Sequence, residues 1–418
     1  MSIKVIDSVM GSGKSSYIHE YMRKNKDKKF IYITPYLGEV ERTIKDCSNF
    51  FTPQAIDDQG QKCLKKDSFY QLLCEGKNIA STHQLFRKMS FDILSILKKQ
   101  AYELVIDEAM GLIDVEEHGI DDIKMLKNED RIYCDEMGRL IWNEDKDYKG
   151  KWAKNIRTLC KSKTIYIVND RFLVWMLPSQ IFNYFENVYI LTYMFDAQIM
   201  KFYFDLNSLN YNKYKIVGKH PNFKMVPYNE SESLYDGMPF SKLINICTTG
   251  KINKIGSLGR TSIGIDRYND VLLSKTWYGK KQNFKQLDQM KKNLENFFRH
   301  NGEGVESALW TTFKDFMKQL ASRRYRDFLA HNARATNNYR NKTAVAYTVN
   351  KFMNQPIKAF LVAKGIHITQ EVEEKYALSE LLQFIFRTAI RDGKCINLYL
   401  PSIRMRYLLQ NWLGIPNE

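Results

Sequence analysis

Residues 8 to 15 of the chain read Ser-Val-Met-Gly-Ser-Gly-Lys-Ser, directly after the strand-like run Ile3-Lys4-Val5-Ile6-Asp7 and directly before a helix-like stretch that begins Ser16-Tyr17-Ile18. Glycines let backbone N–H groups turn toward phosphate oxygens, and the N-terminus of a following helix adds its positive end. A lysine at position 14 can then reach β and γ phosphates, while the Ser15 hydroxyl can ligate Mg²⁺. Gly11, Ser12, Gly13, Lys14, Ser15 and Ser16 are therefore expected to hold the phosphates of ATP with Mg²⁺. Ser8 stands where the first glycine of such a loop is usual. The competing reading is an accidental glycine-rich turn, and the strand before and helix after the loop disfavour it.

Phosphate chemistry of this kind needs carboxylates at the end of a second strand. Leu104-Val105-Ile106 runs into Asp107-Glu108. The apolar run buries the strand and delivers Asp107 to its end, where it can hold the metal together with Ser15. Glu108 is then placed to orient the attacking water. An apolar strand ending in Asp-Glu is by itself most often just a strand end; paired with Gly13-Lys14-Ser15 it becomes specific.

A third group lies far along the chain. From Ala377 to Ile390 nearly every residue is apolar except Ser379, Glu380, Gln383, Arg387 and Thr388. On one continuous helix, Glu380, Gln383, Arg387 and Arg391 form a single polar stripe. Buried charge without partners is costly, so the stripe demands them. An internal ion-pair network is one answer. A nucleotide phosphate across a cleft is the better one, because two arginines exceed the single carboxylate.

The elements that must position these groups alternate between strand and helix. Strand-like runs at 3–7, 30–34, 78–82, 103–107, 164–168 and 188–192 predict a mostly parallel sheet covered by helices over residues 1–205. Residues 206–240, rich in Asn, Tyr, Lys and Ser, read as a linker. Further strand-like runs at 243–247, 308–313, 327–331, 343–348 and 395–400 predict a second α/β domain over 241–418. Between 111 and 147 the alternation lapses and acids outnumber bases, which reads as an acidic, solvated insertion.

The chain has 418 residues, 44% hydrophobic and 26% charged, an ordinary globular composition that excludes disorder and collagen. Seven scattered cysteines without a C-x-x-C argue for a reduced protein without structural zinc. Neither a signal-peptide pattern nor a long apolar run occurs, so a cytoplasmic protein with no membrane contact is expected. The net charge is +16, and Met1 to Asp205 is neutral, so the whole excess lies beyond it. That division suits a polyanion-binding half joined to a neutral one; a general solubility bias is the plainer alternative.

With these motifs in place, the sequence resembles superfamily 2 helicases, particularly the DExx-box helicase-like ATPases of tailed bacteriophages. Gly11 to Ser15 resembles motif I and Asp107-Glu108-Ala109-Met110 motif II. Thr34-Pro35-Tyr36 looks like motif Ia, Ser81-Thr82-His83-Gln84 like the later strand-contacting motif, and Leu191-Thr192-Tyr193 like motif III with Tyr in place of the small central residue. Leu309-Trp310-Thr311-Thr312-Phe313 resembles motif IV, and Ala333 to Asn337 takes the place of motif V. Gln383 to Arg391 resembles motif VI, with Phe386 for the usual Gly and the second Arg one residue late.

The resemblance implies two tandem RecA-like domains with mostly parallel sheets, an acidic insertion in the first and a basic insertion in the second. ATP and Mg²⁺ would lie between them, with Lys14, Asp107, Glu108, Gln383, Arg387 and Arg391 as the catalytic set. It further implies a helicase or translocase moving on single-stranded DNA, in phage replication or recombination and hence in host cytoplasm. Replication proteins are candidate partners for the 111–147 insertion. Nucleic-acid contacts are expected from Pro35, Tyr36, Thr82, His83, Thr311, Thr312, Lys314 and Arg334. Two clusters of bases interleaved with aromatics, around Trp277 and Lys280 and at Arg323-Arg324-Tyr325-Arg326, add stacking and phosphate contacts without sequence preference. Two other readings stand beside this one: a DNA-packaging motor ATPase, and a DNA-loading protein that nucleotide merely switches.

Overall fold

The computed structural model describes all residues except 1, 57–61, 89–92, 117–119, 146–153, 234, 249–250, 257–270, 333–337 and 417–418. Its first half is built on β1 (Ser2–Asp7), β2 (Lys29–Thr34), β3 (Phe50–Phe51), β4 (Asn78–Thr82) and β5 (Tyr102–Asp107). An insertion follows with β6 (Ile113–Glu116), the hairpin β7 (Ile132–Cys134) and β8 (Leu140–Trp142), and then β9 (Ile165–Val168) and β10 (Phe172–Met176). The chain returns through β11 (Asn187–Thr192), β12 (Asn212–Val217) and β13 (Lys224–Pro227). The resulting eight-stranded sheet has the order β13-β12-β1-β11-β5-β2-β4-β3 and is parallel except for β13. Val5, Ile6, Ile31, Ile33, Leu104 and Val105 are fully buried, as strands covered by helices on both faces must be.

The second half carries β14 (Ile244–Ile246), β15 (Ala308–Thr311), β16 (Ala344–Tyr347) and β17 (Ile396–Tyr399), an all-parallel sheet of order β14-β17-β16-β15. The fold is thus α/β with two mostly parallel sheets, each with its own core.

Several details depart from expectation. The expected linker at 206–240 contains β12 and β13, and β12 pairs directly with β1, so the first sheet runs on to Pro227. The run at 164–168 is a strand, but it joins β6 and β10 in a separate three-stranded sheet. Residues 327–331 form no strand; Phe328 makes a single bridge to Trp310. The acidic stretch is also no solvated arm. Ile113, Ile123, Leu126, Ile132, Leu140 and Trp142 are buried in the core of the first half, so its charges decorate a packed unit.

The two halves interlock. The helix Gln355–Ala363 belongs by sequence to the second half, yet Ile357, Phe360 and Leu361 are buried in the first core against the insertion. In the opposite direction, Val9 and Met10 of the loop after β1 and Tyr193 after β11 pack against the second core. Among the described residues no helix is long and apolar enough to cross a membrane, and all seven cysteines are free.

Candidate active site

At the C-terminal edge of the first sheet, β1 leads over Ser8–Gly13 into α1 (Lys14–Lys24). Gly11 and Gly13 have φ of 82° and 92°, the left-handed region where a side chain is strained. Position 13 has no room for one either, since a Cβ there would lie 2.3 Å from the Phe223 ring, so the β12–β13 hairpin closes over the loop. The serine at position 8 also has a physical reason, because its Oγ accepts the Ile216 N–H at 2.8 Å and ties the loop to β12. Ser8→Ala leaves that buried donor unpaired, at a cost of about 1–3 kcal/mol. The expected result is a lower urea midpoint with little change in nucleotide KM; an unchanged midpoint would mean the tether contributes nothing.

Lys14 Nζ donates to the carbonyl oxygens of Ser8 and, at 3.1 Å, Val9. Burial pushes its pKa down, opposed by the charges of Glu108, Asp7 and Asp107. The Asp7 carboxylate accepts the N–H groups of Met194 and Phe195 at 2.8 and 2.9 Å, which fixes the turn after β11. Burial raises the Asp7 pKa to about 6 despite the Phe195 bond.

Two strands away, β5 presents Asp107, buried and hydrogen-bonded by the Tyr32 hydroxyl at 2.5 Å from the adjacent β2. Burial, with the Glu108 charge beside it, raises the Asp107 pKa to about 6. Glu108 itself has φ 66°. A non-glycine residue there costs of order 1–3 kcal/mol and persists only where its surroundings hold it. Its N–H, donated to Leu191 O at 2.9 Å, is part of that hold.

The second half supplies the opposite wall. Gln383 lies near the end of the helix Gln370–Ile385. That helix stops at Ile385 with Phe386 as its cap, and Arg391 sits in the separate turn Ala389–Asp392, so the continuous stripe does not form. Glu380 leaves it as well, pairing with Lys351 at 3.2 Å. Gln383, Arg387 and Arg391 nevertheless line one cleft of about 420 Å³ together with Gly11, Gly13, Lys14, Ser15, Ser16, Asp107 and Glu108. Arg387 is buried, and its Nε donates to Gln383 O at 2.7 Å. Arg391 is exposed at the rim.

Among the described residues, four further polar side chains line this cleft that sequence reasoning did not single out: His19, Arg42, Asp46 and Arg340. His19 Nδ1 lies 3.1 Å from Asp46 Oδ2, and its Nε2 is 3.4 Å from Thr43 Oγ1. Burial, with Arg42 beside it, lowers the His19 pKa to about 4, so the ring is neutral near pH 7. Arg42 pairs with Glu39 at 2.8 Å in α2 (Leu37–Asp46), and Arg340 with Asp392. No local pattern marks them, because only the topology brings α2 and residue 340 to the loop.

The donor set fits a nucleoside triphosphate and its metal. The hydroxyl of Ser15 and the carboxylate of Asp107 are the hard oxygen ligands Mg²⁺ prefers. Ser12 Oγ is buried without a hydrogen-bond partner among the described residues, a donor left for an oxyanion.

The expected nucleic-acid residues divide by exposure. Tyr36, at 41% exposure, and Lys280, Lys314, Arg323 and Arg324 are on the surface, while Pro35 is half-buried. Thr82 caps the helix His83–Arg87 by accepting the Leu85 N–H at 3.3 Å. Trp277, Thr311, Thr312 and His83 are buried, so a strand cannot stack on or touch them in this arrangement. Trp277 instead packs edge-on against Tyr278 in the second core. Arg334 and the stretch 333–337 lie outside the described residues. Tyr193 is buried in the second core, where its hydroxyl accepts the Trp412 Nε1–H at 2.9 Å, so a large residue there bridges the halves.

The family described as the YonV C-terminal Rossmann-like domain matches residues 239–413, and the YonV middle domain matches 115–175. The SPbeta prophage-derived uncharacterized protein YonV of Bacillus subtilis (strain 168) is 36% identical over 422 residues, covering 98% of each chain. Among solved structures, Xpd4 of S. tokodaii aligns at 11% identity with a TM-score of 0.49, covering 99% of this chain and 94% of its own. An XPD helicase structure aligns at 12% identity with the same score, covering 99% and 95%.

Proposed function

We propose that this chain, which belongs to the YonV family, is an ATP-dependent nucleic-acid helicase or translocase that moves on single-stranded DNA without sequence preference. The observation that carries the reading is the cleft in which Lys14, Ser15, Asp107 and Glu108 of the first half face Gln383, Arg387 and Arg391 of the second. Two walls on separate sheets can change their spacing, and a group acting across the gap can couple that movement to phosphate chemistry.

In this reading Gly11 to Ser16 hold the phosphates, Ser15 and Asp107 hold Mg²⁺, and Tyr32 keeps the Asp107 carboxylate oriented. Bound ATP·Mg²⁺ supplies the phosphoryl group to be transferred to water. Glu108 orients that water and polarises its O–H bond, and Arg387 supplies positive charge from across the cleft. Tyr36, Lys280, Lys314, Arg323 and Arg324 are the exposed candidates for the strand. The prophage-derived relative supports a phage setting, and a role in phage DNA replication or recombination in host cytoplasm is part of the same proposal.

The direct test is the ATPase rate with single-stranded DNA, single-stranded RNA, duplex, or nothing added. Single-stranded DNA is expected to stimulate turnover most; a rate indifferent to all three favours a nucleotide-switched binding protein instead. Glu108→Gln provides a second check. The amide keeps the size of the side chain but cannot accept a proton, so ATP binding should persist while hydrolysis falls by roughly 10²–10⁴-fold. Loss of nucleotide binding in that variant would show that Glu108 holds the loop rather than the water.

A further inference from the structure

We propose that a second cavity, between the insertion and the helix Gln355–Ala363, binds a nucleoside-phosphate unit of a single nucleic-acid strand. The proposal rests on the nucleic-acid reading above and adds a contact away from the exposed basic clusters.

The cavity has a volume of about 450 Å³, and four cations line it: Arg139, Lys161 and Lys163 from the first half, and Lys364 from just beyond the helix. Two of them are compensated, Arg139 by Asp135 at 2.7 Å and Lys161 by Glu144 at 3.3 Å. The other two are not. Lys364 donates to the neutral Met137 carbonyl, and its ammonium lies 5.1 Å from the centre of the Tyr166 ring. Lys163 sits in an exposed turn at φ 55°, with no side-chain partner among the described residues. The concave space therefore carries a net positive charge, since Glu144 is shared by Lys161 and Arg157.

The remaining lining includes Tyr166 and Met176. Tyr166 is buried beneath Lys364 and offers no open face, so the cations suit phosphate and the half-buried, polarisable thioether of Met176 suits the base. The volume falls in the range of small-ligand sites, roughly 300–1,000 Å³, which a flat protein face or a membrane surface cannot enter. Because Lys364 comes from the second half and the other cations from the first, a nucleotide held here touches both halves at once.

The test uses the full chain, a fluorescent oligothymidylate and anisotropy across a salt series. Each of Lys163→Gln and Lys364→Gln should reduce the slope of log affinity against log salt by roughly 0.7, and the double variant by roughly 1.4. The ATPase rate without nucleic acid should not change. A strand carrying 4-thiothymidine should photocrosslink to residues 161–180. A wild-type slope in the double variant, with crosslinks only elsewhere, would overturn the assignment. If Lys364→Gln lowers the melting temperature, Lys163→Gln, on its exposed turn, decides alone. Displacement of the strand by dTMP at concentrations matching the strand's own Kd would overturn it in favour of a free-nucleotide pocket. Stimulated turnover with unaffected variants defeats only this cavity, whereas a wild type that neither binds the strand nor responds to it defeats the functional reading as well.

Discussion

Arg387→Ala is expected to bind ATP almost normally and to lose most of its hydrolysis, by roughly 10³ to 10⁵-fold, the range for an arginine supplied across a cleft in phosphoryl transfer. The reason lies in where the residue sits. Arg387 follows the helix Gln370–Ile385 in the second half, and it reaches the cleft lined by Lys14 and Glu108 only because the halves face each other. A guanidinium in that place acts on charge that develops in the transition state, more than on the ground state. Stimulation by nucleic acid should disappear with the rate, since the movement that brings the walls together would no longer deliver a charge.

Arg387 is also buried and bonded to the Gln383 carbonyl, so thermal melting must accompany the kinetics. Arg387→Lys keeps the charge but not the planar fork, and should recover only part of the rate. Arg391→Ala, at the exposed rim, should have the milder effect. A sharp drop in melting temperature with turnover per folded molecule intact would reduce Arg387 to a packing role and remove the main support for a two-walled site.

Lys14→Ala should bring turnover to background, a loss of at least about 10³-fold by the scale of a single removed electrostatic donor. The ammonium rests against the Ser8 and Val9 carbonyls and is drawn toward Glu108, Asp7 and Asp107, so it stands where the loop and the carboxylates converge. Among the described residues no other lysine lines the cleft; the remaining cations there are Arg42, Arg340, Arg387 and Arg391. Nucleotide affinity should fall with the rate, which separates this variant from Arg387→Ala. Single-strand binding without ATP should survive, because the exposed candidates for the strand lie outside the loop. Near-parent hydrolysis by Lys14→Ala would mean that Gly11 to Ser16 form an ordinary turn.

What was legible in the sequence is what neighbouring residues decide among themselves. The run from Ile3 through Gly13 into α1 is a strand, a loop with positive φ at its two glycines and a helix, all set by local apolar pattern and local backbone freedom. Leu104 to Asp107 is likewise a buried strand ending in a carboxylate because its own residues leave no other place for it. The parallel, doubly covered character of both sheets follows from strands without a polar face.

Long-range contacts decided the rest. Whether Trp277, Thr311 and Thr312 face a strand or the core depends on what packs over them, and their immediate neighbours do not say. The polar stripe failed as one helix because the chain turns after Ile385, yet Gln383, Arg387 and Arg391 still reach a common cleft, since the turn carries the two arginines to its edge. His19 of α1, Arg42 and Asp46 of α2 and Arg340 meet at one site, and Ser8 proved to serve a strand more than two hundred positions away. Composition was misleading for the insertion as well. Most of its acids lie on the outside of a packed unit, while its Arg139 meets Lys161, Lys163 and Lys364 from other segments at one cavity, because charge in solution is counted by place and not by segment.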